Sequence, residues 1–101
     1  MTIPGPGQGW SPDQIEAIAP QHIDFARMRR FVAAFATTDG VGISDVMNEA
    51  TRAGRMLQLL GAAAAQLATE HDLDQPEHLD AWRQGIAYHI NAAEEEDSQH
   101  E

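Results

Sequence analysis

Glu70-His71-Asp72-Leu73-Asp74-Gln75-Pro76-Glu77-His78 holds four acids and two histidines within nine residues, the densest run of metal-ligating side chains in the sequence. Imidazole nitrogens and carboxylate oxygens of this kind suit zinc or another divalent cation, with His71, Asp74 and His78 as the natural ligand set. The spacing matches neither the His-Glu-x-x-His helix of a zinc hydrolase nor the glycine-bearing calcium loop. Asp74 as an N-cap, Pro76 in a first turn and Glu77 reaching back are helix-start signals. The segment is therefore expected to be a polar turn between helices, with no metal and no cofactor.

Other candidates for chemistry are scattered. His89 falls seven residues beyond Trp82 on one helical stripe, where an imidazole is either hydrogen-bonded in a core or seated at a subunit interface. Ser11 and Ser44 stand where helix caps belong and Ser98 lies near the C-terminus, so no serine, histidine and acid combine into a nucleophilic site. There is no glycine-rich phosphate loop or nucleotide fingerprint, and no catalytic activity is expected. Arg27, Arg29 and Arg30, with Arg52 and Arg55, make the one basic patch. In a chain of net charge −10 these arginines are expected to pair with its acidic region or with that of a second subunit, not with nucleic acid.

The elements that would position these residues are all helical. Ser11-Pro12-Asp13-Gln14 reads as a capping box opening a short helix over 12–19, with Ile15 and Ile18 on one face and Trp10 placed to staple it. Phe25, Met28, Val32 and Phe35 give a helix over 20–38, closed by Thr37-Thr38-Asp39-Gly40 with Gly40 as the left-handed cap. Ser44 is expected to cap the next helix, over 45–71. Its seam of Ile43, Val46, Ala50, Ala53, Leu57, Leu60, Ala64 and Leu67 recurs at steps of three and four. A second row, Met47, Gly54, Gly61 and Ala68, is spaced by sevens and predicts close backbone approach by another helix. A last helix over 75–93 carries Leu79, Trp82, Ile86, His89 and Ala93 before Glu94-Glu95-Glu96-Asp97, acids that oppose the dipole at its C-terminal end.

The chain is thus expected to be an all-α bundle of three main helices and a short one. An extended arm (1–9) should precede a single helical domain (10–93) and an acidic tail (94–101). At 101 residues it fits one domain of ordinary composition, and the absence of cysteine excludes disulfides and thiolate sites. Residues 70–101 hold ten acids against Arg83, a balance of −9, whereas residues 1–69 hold six acids and five arginines. Such a field disfavours nucleic acid and anionic membranes; it is expected first of all to keep an apolar, alanine-rich helical protein soluble, and a partner that meets the acidic end is expected to be basic. The first ten residues lack the basic and apolar segments of a secretory signal, and no apolar run is long enough for a membrane span, so a cytoplasmic location is expected.

These features point to a non-enzymatic interaction, regulatory or assembly protein, homodimeric through the seam of the third helix. The interface residues would be Val46, Ala50, Ala53, Gly54, Leu57, Leu60, Gly61, Ala64, Leu67, Trp82 and His89. An acidic inhibitor that mimics nucleic acid in a basic groove, and a small metal-binding helical protein, are the alternatives.

Overall fold

A computed structural model describes residues 3–99, which form five helices and no strand. The first two residues of the expected arm and the last two of the expected tail lie outside this range. The short helix α1 (Pro12–Ala17) starts as its capping box requires. The Ser11 hydroxyl accepts the Gln14 N–H at 3.2 Å, and the Gln14 side chain accepts the Ser11 N–H at 2.8 Å. Helix α2 (His22–Ala36) begins one turn later, where the Asp24 carboxylate accepts the Gln21 N–H at 2.8 Å.

Helix α3 spans Gly40–Ala53, and its start corrects the expected capping. Asp39, not Ser44, is the N-cap: its carboxylate accepts the Gly42 N–H at 3.0 Å. A Cβ on Gly42 would lie 2.5 Å from Asp39 Oδ2 and 3.0 Å from the Ala34 Cβ, so a larger residue would have to displace the capping carboxylate. The left-handed residue that ends α2 is Thr38, with φ 55°, rather than Gly40. The Asp39 N–H reaches back to the Ala34 carbonyl and the Thr38 N–H to that of Phe35, the two bonds of a Schellman motif.

The expected single helix over 45–71 is two helices. Gly54 takes φ 67°, its N–H bonds the Thr51 carbonyl, and the Arg55 N–H bonds the Ala50 carbonyl at 2.9 Å, closing α3 with a second Schellman motif. Arg55 then supplies the carbonyl that accepts the Leu59 N–H, opening α4 (Met56–Glu70). A heptad pattern carries through such a break because a glycine inside an apolar stripe reads equally as a packing site or as a cap. Gly54 serves as the cap and has open space where a Cβ would be. Gly61 does lie under a neighbour, its Cβ position 3.6 Å from the Ile18 carbonyl oxygen and from Pro20 Cδ.

A third Schellman motif closes α4, with Asp72 at φ 49° and the Leu73 N–H on the Ala68 carbonyl. Helix α5 spans Pro76–Gln99, and Gln75 rather than Asp74 stands at its cap position, accepting the Leu79 N–H at 3.0 Å. The helix continues beyond the expected end at residue 93 because no glycine or proline follows Gly85 and glutamate is a good helix former.

The chain divides into two compact units, one ending at Ala65 and the other beginning at Gln66. The core belongs to the first unit. Met28 of α2, Val46 and Ala50 of α3, and Leu59 and Ala62 of α4 are its buried members, with Phe25, Phe31, Met56 and Ala63 packed around them. Ala50 and Ala62 are fully enclosed, small residues that let three helices converge. No helix among the described residues is long and apolar enough to cross a membrane.

Candidate interaction surface

The break at Gly54 places Arg55 against the start of α2. Asp24, 0 % exposed and the one buried charged residue among those described, accepts from Arg55 Nε at 2.8 Å and Nη2 at 2.6 Å. The paired hydrogen bonds from Arg55 hold the Asp24 carboxyl below its ordinary range, burial opposes them, and the Gln21 N–H adds to the lowering. The same contact raises Arg55. Across α2 and α3, Arg30 donates to Glu49 at 2.7 and 3.3 Å, which lowers Glu49 and raises Arg30. Arg27 Nε lies 3.7 Å from the same carboxylate, and its Nε and Nη1 are buried without a hydrogen-bond partner. Three arginines of the basic patch therefore pair with Asp24 and Glu49, acids of the first unit itself. Arg29 and Arg52 form no ion pair among the described residues.

The proposed interface residues are dispersed. Val46 and Ala50 are core, closed off within the first unit. Ala53 and Gly54 are exposed at the end of α3, and Gly61 is half-buried beneath the α1–α2 connection. Leu57 is half-buried, while Leu60, 63 % exposed, and Ala64 lie on the open side of α4. Leu67, Trp82 and His89 belong to the second unit and are all exposed. No single surface contains the original seam, because the turn at Gly54 and Arg55 interrupts its helix.

In the second unit the described residues include no buried one, although α5 runs for 24 residues. Leu79 is half-buried. Trp82, Ile86 and Ile90 follow on the same face and are 39 %, 49 % and 53 % exposed. At about 100° per residue, Leu79, Trp82, Ile86, Ile90 and Ala93 fall within an arc of about 80°. Ile90 was missed as a stripe member because His89 satisfies the seven-residue spacing from Trp82; the four-residue step from Ile86 was the available signal. His89 is exposed and packs edge-on against Tyr88, with ring centroids 5.3 Å apart.

The polar turn leads into this face. The His71 ring lies 5.1 Å from that of Trp82, and Glu70, His71, Asp72, Leu73, His78, Ala81 and Trp82 line an open depression. No three histidine or acidic side chains among the described residues converge on a point where a metal ion could sit. His71 and His78 share the depression, but Asp74 does not line it, so the ligand set read from the sequence is not assembled. Compared with known proteins, the chain matches no family model, no curated protein and no solved structure.

Proposed function

We propose that this is a non-enzymatic, cytoplasmic protein of the regulatory or assembly kind, which works by presenting the α5 face to another protein. The observation that carries the reading is the 24-residue helix with an apolar stripe and, among the described residues, no buried one. Full burial of a large apolar side chain is worth about 1.5–3 kcal/mol, and Trp82, Ile86 and Ile90, left about half exposed, forgo roughly half of it each, so a face bearing them gains by being covered. The test is photo-crosslinking in the native host, with a crosslinking amino acid at position 86 or 90 and, as control, at position 95 on the opposite side of α5. Adducts of defined mass from 86 and 90, absent from 95, are the expected result. Failure to crosslink from either position would sink the reading.

A second reading, homodimerisation through what remains of the seam in the first unit, is favoured by the exposure of Leu60 beside Leu57 and Ala64. Light scattering at micromolar concentration decides it: a dimer that Leu60→Glu dissociates supports it, and a strict monomer removes it.

A further inference from the structure

We infer that Arg27 and Arg30 of α2 form a binding site for a phosphate group, which takes the place that the Glu49 side chain holds between them. The inference is independent of the reading of α5. Its starting point is a shortage of acceptors. Arg30 donates from Nη1 and Nη2 to the two oxygens of Glu49 at 2.7 and 3.3 Å, so one planar fork occupies one planar carboxylate. Arg27 is left with its Nε 3.7 Å from Glu49 Oε2, beyond hydrogen-bond reach. Its side chain is only 14 % exposed, and its Nε and Nη1 are buried and unpartnered. Asp24 does not make good the shortage, because its two oxygens are turned to Arg55 and to the Gln21 N–H at 2.6–2.8 Å. A buried charged donor without an acceptor costs stability, and a ligand that supplies one recovers it.

A phosphate group answers this shortage where a carboxylate does not. Its three terminal oxygens point in different directions, so two can face Arg30 while the third meets Arg27 Nε, and its charge approaches that of two guanidiniums. Glu49 can give way to it. The Glu49 side chain is 45 % exposed, and its hydrogen bonds among the described residues are the two from Arg30, so rotating outward returns the carboxylate to water. The surroundings are mixed in charge. Arg52, one turn beyond Glu49 on α3, is exposed and forms no ion pair among the described residues, whereas Asp45, one turn before it, acts on Arg30 and opposes an anion. Glu49 also sets a threshold. Being tethered, it is present at high effective concentration, so a free monocarboxylate that offers the same two oxygens and single charge does not displace it.

The test is nitrogen–proton NMR of the full chain at about pH 7, where a phosphate monoester is close to doubly charged, following the Nε–H signals of Arg27 and Arg30 at constant ionic strength. The ligands are inorganic phosphate, glycerol phosphate and acetate. Saturable shifts are expected with phosphate in at least one of its two forms and not with acetate, and the tighter form shows whether the ion is free or esterified. Glu49→Gln, which keeps the shape and removes the competing charge, should tighten binding about tenfold, a gain that a purely structural arginine pair would not give. Arg27→Met should abolish binding. Arg30→Ala, at an exposed position, should do the same and decides the matter if Arg27→Met does not fold. Shifts that never saturate, equal shifts with acetate, or binding that survives Arg30→Ala overturn the inference. Saturation confined to Glu49→Gln overturns it as well, because Glu49 is then a permanent occupant.

Discussion

Asp24 performs two jobs with one carboxylate, accepting the Gln21 N–H at the start of α2 and clamping Arg55 from the turn before α4. Asp24→Asn keeps the shape and removes the charge, leaving the Arg55 guanidinium without its counter-ion, and should cost about 3 kcal/mol by urea unfolding. Because the folded carboxyl titrates below its unfolded value of about 3.9, its contribution is complete above that pH and is lost as the pH falls through the lower folded value. Stability measured from pH 6 downwards should therefore decline below about pH 4 in the native protein and less steeply in Asp24→Asn. Arg30→Ala behaves differently, since Arg27 waits 3.7 Å from the same Glu49 and can take over; a loss under about 1 kcal/mol is expected in the same assay. Neither pair was legible in the sequence. Asp24 and Arg55 stand 31 residues apart, and nothing local distinguishes Asp24 from a solvated helix acid until Gly54 is known to turn the chain.

At the scale of the elements, three helices end in the same backbone motif but with glycine, threonine and aspartate at the left-handed position. A β-branched residue is strained there, whereas glycine is not. Thr38→Gly should stabilise by about 1 kcal/mol, raising Tm by about 4–8 °C for a domain of this size, as scanning calorimetry would show. Gly54→Ala should destabilise by a similar amount with little change in helical content. A gain in stability would mean that α3 and α4 prefer to fuse. The periodicity of the apolar residues was enough to identify the helical regions, and Ser11-Pro12-Asp13-Gln14 identified the capping box of α1. Periodicity was not enough to separate α3 from α4, because the apolar spacing continues across Gly54 while the geometry that decides the matter is a dihedral angle. The same limit misplaced the cap of α3, where Asp39 and Ser44 are both good capping residues.

For the molecule as a whole, charge and burial are distributed unequally. The buried apolar residues lie in the first unit, while most of the negative charge lies in the second. The charge was plain from a count of residues. That the candidate face would fall on α5, and not on the seam, was not, because Val46 and Ala50 become internal only once α2 folds against α3. Glu96 and Asp97, in the last turn of α5, oppose the dipole of the helix that carries them, each by about 0.3–1 kcal/mol at low ionic strength. Replacing both with their amides should raise the helical signal at low salt, with the difference shrinking as salt screens the interaction. A salt-independent difference would assign the gain to side-chain propensity instead.

The link between Asp24 and Arg55 also bears on the order in which the chain acquires its structure. Most hydrogen bonds here join residues three to five apart and form as each helix forms, but this pair must wait until α3 has been laid back along α2. The pair is therefore expected to close after assembly and not to form part of the nucleus. Rapid-mixing kinetics on Asp24→Asn should accordingly show faster unfolding with a nearly unchanged folding rate, so that the single buried carboxylate governs how long the folded chain persists more than how quickly it arises.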